Sequence, residues 1–334
     1  FVKQVWEIKF NIDWFLSLAW FNFSINELKT STPLKKTPEG KTNILIIWKD
    51  DEWDWVVSLT DSIILASINH DKKNITMLSL PRDLYVEFPS SWEGRINEAL
   101  HRWYNQNNQN YEYWVEELQK IVENITGEEI NYYVSLNFNW FVEIIDIIWW
   151  IEIDVPVSII DHSYPGPNHS YQTFRINSWF QTLNWQTALK YARSRKTTSD
   201  FDRSLRQQLI IKSIRDKLLS LDLLTSPTKI RSIFESIEKN IKTNLEIWQI
   251  INLGLYLKDI DRDSIYSFNL NNSCFESKEL CSVWWILYNV LRSDFNGMSV
   301  LLPYKADRGD ISNYNLTILF SQIVFNFPEI FNEN

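Results

Sequence analysis

The sequence predicts an α/β protein, and three observations carry that prediction. Short β-branched runs alternate along the chain with longer segments of helical period. Of the 334 residues, 45% are hydrophobic and 22% charged, which is enough apolar side chain to bury a substantial core. No internal repeat interrupts the alternation.

Residues 1–42 are mixed and turn polar toward their end. Ser31, Thr32 and Pro33, then Thr37, Pro38, Glu39 and Gly40, read as a linker, so this stretch is expected to be a stalk ahead of a main domain at 43–334. Three strands open that domain, at 43–47, 62–68 and 75–80, each a short apolar run bounded by polar residues. Helical periodicity follows at 96–103, 111–125 and 139–148, with strand-like runs at 132–136 and 151–155. Residues 156–171, rich in Pro, Ser and His, read as a loop. Segments 182–192 and 203–219 carry helical period again. Two more helices, at 230–237 and 245–258, precede strand candidates at 264–270 and 298–302.

A net charge of −9 argues against a nucleic-acid binder, because phosphate backbones reward a basic face. Any phosphate chemistry must use a local basic cluster. The two cysteines, Cys274 and Cys281, lie far from any His pair that could complete a zinc site. They are expected to form a disulfide if the domain lies outside the cytoplasm; two thiols in a reduced compartment are the alternative. The longest early apolar run, 14–25, covers roughly half of the ~20 residues that a spanning helix needs. A membrane anchor is therefore expected upstream of Phe1 rather than within the chain.

Seventeen tryptophans stand beside only 7 glycines. Together they make up about 7% of the chain, the share that glycine alone has in an ordinary protein. Trp48 follows a strand directly, Trp53 and Trp55 sit in an acidic loop, and Trp149 and Trp150 lie between a helix and a strand. Such places call for positive φ or close backbone approach. A gene that reads UGA as glycine, translated with tryptophan instead, accounts for both facts. The alternative is a Trp-rich, carbohydrate-stacking surface, but stacking side chains have no reason to favour turns.

The chemistry concentrates in three places. The run ITMLSLPRDLYVE at 75–87 is a buried strand that delivers Arg82 at its carboxyl end, where open α/β sheets gather ligands. A local ion pair with Asp83 is the plainer reading of Arg82. The run ALKYARSRKTTSDFDRSLRQQ at 188–208 holds Arg193, Arg195, Arg203 and Arg206 within 14 residues of an acidic protein. Arg203, Arg206 and Gln207 share a helix face by their spacing, and converging guanidinium forks suit a pyrophosphate. A solvated basic helix face is the alternative. Asp50 just after the first strand and Asp61 just before the second would lie near one sheet edge if those strands are neighbours, where together they could hold a hydrated Mg²⁺. Asp51, Glu52 and Asp54 share that loop, so a merely acidic loop competes with a metal site. The four histidines show no ligand spacing.

WKD at 48–50, LTDSIILASI at 59–68, LSLPRDLYVE at 78–87, RINEA at 95–99, WFVEIIDIIWWIEIDVP at 140–156 and LNWQTALKYARSRKTTSDFDRSLRQQ at 183–208 occur in this order. Together they resemble the LytR-CpsA-Psr family over roughly residues 43–302. Where that family usually has Gly, this chain has Trp at 48, 140, 149, 150 and 185, in keeping with recoding. The resemblance implies an αβα sandwich around a mixed central sheet, with a hydrophobic tunnel for a polyprenyl chain and a polar mouth for its pyrophosphate and Mg²⁺. Carried over by position, Asp50 and Asp61 bind the metal, and Arg82, Arg193, Arg195, Arg203 and Gln207 contact phosphate. Arg82, Arg193, Arg195 and Asp61 are the catalytic candidates, and Arg203, Arg206 and Gln207 the substrate-binding ones. The family commonly has Arg where this chain has Leu59, so one cationic contact is missing.

The implied reaction is phosphoryl transfer, in which a peptidoglycan hydroxyl attacks a polyprenyl-pyrophosphate-linked glycan and polyprenyl phosphate leaves. The enzyme would be anchored on the extracytoplasmic face of the cell membrane. Asp61 is one candidate base. A non-catalytic lipid-phosphate or glycan-binding surface protein and a lipid pyrophosphatase are the rival readings, the first made plausible by Leu59.

Overall fold

A computed structural model describes residues 33–49, 59–89, 92–101, 111–166, 170–194, 200–220, 227–270, 286–303, 306 and 311–332. In chain order its strands are β1 (Lys41–Lys49), β2 (Thr60–Asn69), β3 (Asn74–Leu80), β4 (Tyr85–Phe88), β5 (Trp92–Arg95), β6 (Tyr132–Asn137), β7 (Ile151–Val155), β8 (Ile159–Pro165), β9 (Tyr171–Ile176), β10 (Trp179–Leu183), β11 (Lys242–Thr243), β12 (Ile265–Asn269), β13 (Leu287–Asn289) and β14 (Leu301–Pro303). Its helices are α1 (Tyr111–Thr126), α2 (Phe138–Ile148), α3 (Trp185–Arg193), α4 (Asp200–Ser220), α5 (Pro227–Asn240), α6 (Ile247–Lys258) and α7 (Asn315–Asn326).

Six strands form the central sheet in the order β11-β6-β1-β2-β3-β12. β1 runs parallel to β6 and antiparallel to β2, and β3 runs parallel to β12. The carboxyl ends of β1, β3, β6 and β12 and the start of β2 therefore share one sheet edge. The two faces of the strands separate by alternation. Leu45, Ile47, Ile63, Leu65 and Leu78 pack under Trp114, Leu118 and Val122 of α1 and Phe320 and Val324 of α7. Ile44, Ile64, Ala66, Ile75 and Met77 face the other way, toward α4 and α6. The expected αβα sandwich around a mixed sheet is what forms. The packing extends to the residues before β1: Leu34 is buried and the Lys35 amide donates to the Tyr132 hydroxyl.

Several local expectations are corrected. The expected loop at 156–171 contains β8, paired with β9. Its inward positions Ile159, Asp161 and Tyr164 include a carboxylate, which hides the two-residue period. The helix expected to begin at 182 begins at Trp185, because Asn184 caps it by accepting from the Thr187 amide at 3.0 Å. The hairpin of β4 and β5 is an addition, since runs of four residues carry no readable period, and the 12-residue helix α7 is another.

Of the tryptophans argued to sit at turns, Trp53 and Trp55 lie outside the described residues, and of Trp48, Trp149 and Trp150 only Trp149 has a positive φ. Trp149 caps α2 with φ 74°, a left-handed backbone that favours glycine. Trp48 instead lies within β1, fully buried, with its ring 5.5 Å from both Phe138 and Phe141. Trp140 and Trp185 lie in the first turns of α2 and α3.

Candidate functional site

The site stands at the sheet edge where β2 begins. Trp48 pairs with Ser62 and Lys49 with Thr60, so Asp61 is the extra residue of a β-bulge. Bulges turn a side chain out of the regular pleat. Here the carboxylate meets two guanidinium groups: Asp61 Oδ1 is 3.3 Å from Arg82 Nη1 and 3.8 Å from Arg203 Nη1. Arg203 Nη2 also donates to the Asp61 main-chain carbonyl at 2.9 Å.

Each arginine arrives from a different element. Arg82 follows β3 in a turn closed by the Leu84 amide donating to the Pro81 carbonyl at 3.1 Å. The local pair with Asp83 exists but is long, 3.9 Å from Arg82 Nε, and Asp83 also faces Arg95 at 3.6 Å. Arg203 projects from the first turn of α4. That helix is tied to the sheet by Gln208, whose amide donates to Ser79 Oγ at 2.6 Å and to the Phe268 carbonyl at 3.1 Å, and by Asn269, which donates to the Phe201 carbonyl at 3.0 Å. The amino-terminal end of a 21-residue helix thus abuts the site, and the helix dipole favours an anion there.

A cleft of about 140 Å³ opens on this group, lined by Asp61, Arg82, Arg203 and Ser204 together with the apolar Leu80, Phe201 and Leu301. Gln207 lies in the same turn of α4 as Arg203, fully buried, and neither its Oε1 nor its Nε2 meets a hydrogen-bond partner. Burying an amide unpaired costs about 1–3 kcal/mol. That cost is compensated if a ligand oxygen supplies the missing partner.

The other candidates divide. Arg193, the last residue of α3, lies with its guanidinium 4.8 Å over the Phe138 ring, just beyond the carboxyl end of β6, and does not line the cleft. Arg206 does not share a substrate face with Arg203. It is buried and donates through Nε to the Tyr191 carbonyl at 3.0 Å and through Nη2 to the Ser194 carbonyl, which gives it a structural role at the end of α3. Asp50, Arg195, Cys274 and Cys281 lie outside the described residues. Gln208 and Asn269, which set the height of α4 over the sheet, are missed by sequence reasoning, because nothing distinguishes Gln208 from its neighbour until the direction of the helix is known.

Among the described residues no three His, Cys, Asp or Glu side chains gather as a metal centre. A magnesium ion that keeps most of its waters needs only one or two carboxylates. Asp61, a hard oxygen donor at the cleft, fits one such place.

Fold and site together define an αβα protein with a carboxylate and two arginines gathered at one sheet edge. The chain belongs to the LytR_cpsA_psr family, whose sequence profile matches residues 21–295. It is 30% identical over 206 residues to the polyisoprenyl-teichoic acid–peptidoglycan teichoic acid transferase TagU of Bacillus licheniformis, covering 60% of each chain. To TagV of Bacillus subtilis, which carries the same transferase name, it is 29% identical over 221 residues, covering 63% of this chain and 52% of that one. The chain thus spans between about half and three fifths of the length of these relatives. The solved structure of TagT bound to LIIa-WTA superposes with a TM-score of 0.61 at 20% identity, covering 87% of this chain and 93% of that one, a likeness of fold.

Proposed function

We propose that this chain transfers a glycopolymer from a polyprenyl-pyrophosphate-linked donor to peptidoglycan. The observation that carries the reading is Asp61 bracketed by Arg82 and Arg203 in one cleft. The names of the TagU and TagV relatives support it.

In this reading the Arg82 and Arg203 forks bind the non-bridging oxygens of the pyrophosphate, and Gln207 donates to one of them. The acceptor hydroxyl attacks the glycan-side phosphorus. The bond to polyprenyl phosphate breaks, and the arginines neutralise charge on the departing oxygens, where positioning and electrostatics supply most of the rate. Asp61 is the candidate to orient the acceptor hydroxyl or take its proton. Arg193 and Arg195 complete the cationic set. Asp61 with Asp50 would hold Mg²⁺, which when bound adds further positive charge against the phosphates. The lipid tunnel belongs to the same proposal, with Leu80, Phe201 and Leu301 marking where an apolar chain would leave the polar mouth. No helix among the described residues is long and apolar enough to cross a membrane. An anchor upstream, with the domain on the extracytoplasmic face, is part of the proposal.

The test is transfer of labelled glycan by purified protein, with lipid-linked donor and peptidoglycan acceptor, with and without Mg²⁺. Acceptor-linked label supports the reading. Label released only to water identifies a pyrophosphatase, and binding without turnover identifies a carrier.

A further inference from the structure

We propose that Lys49 and Lys242, which share the ring of Tyr111, form a second anion subsite beside the cleft, so that the polymer carried by the donor is itself anionic along its length. The inference rests on the reading above, in which a polymer extends from the pyrophosphate held at Arg82 and Arg203.

The three residues meet on the face of the sheet that α1 covers. Lys49 ends β1 on the same side as Leu45 and Ile47, by the alternation of the strand. Lys242, in the edge strand β11, stands opposite Ser135 of β6, and Ser135 stands beside Ile47 of β1. Tyr111 opens α1, belongs to the core under that face and donates its hydroxyl to Ser135 Oγ at 2.6 Å. Its ring therefore has a fixed place. Lys242 Nζ lies 4.2 Å and Lys49 Nζ 5.4 Å from the ring centroid.

Two ammonium groups at one ring repel each other, and the ring attracts each only modestly where water has access. An anion bound by both relieves that repulsion. The pair also stands in line with the cleft, because Lys49 pairs across β1 and β2 with Thr60, the residue before Asp61. At about 4.8 Å per strand, β11 lies roughly 14 Å across the sheet from β2. A pyrophosphate seated at Arg82 and Arg203 does not reach that far, whereas a polymer leaving the cleft along the sheet edge does. A chain of net charge −9 repels a polyanion at long range, so a local cationic pair is what would retain one there. The plainer role for each lysine is to cover the ring with its stem, and methionine, which keeps an apolar stem without the charge, separates the two roles.

The experiment measures calorimetric affinity of the whole chain for inorganic pyrophosphate and for long-chain inorganic polyphosphate, at several salt concentrations. Wild type is expected to bind polyphosphate more tightly than pyrophosphate. The double variant Lys49→Met with Lys242→Met should weaken polyphosphate binding about tenfold, as two exposed charge contacts are worth together, and should flatten its log–log salt dependence by about 1.4. Pyrophosphate affinity should stay as in wild type. Each single variant should lose about threefold, which keeps the test open if the double variant does not fold. Lys120→Met, exposed elsewhere on α1, should bind both probes as wild type does. Unchanged polyphosphate affinity in the double variant, or equal losses for both probes, overturns the subsite and leaves the proposed function standing. Lysine-dependent polyphosphate binding without any binding of pyrophosphate overturns the reading of the cleft, and a wild-type chain that binds neither probe overturns both.

Discussion

Arg203 grips Asp61 twice, through the carbonyl at 2.9 Å and the carboxylate at 3.8 Å, from a side chain that is only 3% exposed. A lysine keeps the charge but offers no planar fork, so it cannot serve both oxygens. Arg203→Lys is expected to lower transfer about 10²-fold while the protein still folds. Arg203→Ala should in addition destabilise it by about 3 kcal/mol, because the partner carboxylate is left in a partly buried place. Transfer kinetics and chemical denaturation check both values, and normal transfer by Arg203→Lys would remove Arg203 from the phosphate site.

Gln207 separates stability from function. Both of its amide atoms are buried without partners, so Gln207→Leu, similar in volume, is expected to be neutral or stabilising by up to about 1 kcal/mol. The same variant should lose transfer activity, because the donor toward the phosphate is gone. A variant that stays active would show that the amide is a tolerated defect and no part of the site.

His70 predicts an acid limit to stability. Thr42 Oγ1 gives its one hydrogen to the Lys35 carbonyl at 2.8 Å, so His70 Nε2, at 2.8 Å from the same oxygen, must be the donor, and Nδ1 is left bare and buried. Burial, with Lys36 nearby, lowers the imidazole pKa to about 4. Because the folded pKa lies below the unfolded value of about 6.5, the unfolded chain binds the proton first. This contribution is intact above pH ~6.5 and is lost as the pH falls toward 4. Urea midpoints at pH 7 and 4.5 should differ less in His70→Gln than in wild type, and equal differences would count against the assignment.

Two tryptophan positions should respond in opposite ways. Trp149 sits at φ 74° and is 66% exposed, so Trp149→Gly should relieve strain and stabilise by about 1 kcal/mol. Trp48→Gly empties a filled place beside Phe138 and Phe141 and should cost about 3–5 kcal/mol. The recoding reading expects glycine at 48, 140, 149, 150 and 185 in protein from the source cell. Peptide mass spectrometry decides it, and intact tryptophan at these positions would end the idea.

The sequence alone determined the α/β class, the opening strands, the carboxyl-end placement of Arg82 and the arginine-rich helix. These are local signals, because strand period, helix period and residue type are all legible within a dozen residues. Tertiary structure decided which of those arginines share the cleft. Arg203 and Arg206 lie three residues apart on α4, yet one turns to Asp61 and the other to the carbonyls that end α3. That division depends on where Gln208 and Asn269 fix the helix over β3 and β12, contacts spanning 60 to 129 residues of chain that leave no local mark. The bulge that presents Asp61 and the buried carboxylate that made β8 resemble a loop are of the same kind. Each departs from local pattern because a partner distant in sequence supplies the compensating bond.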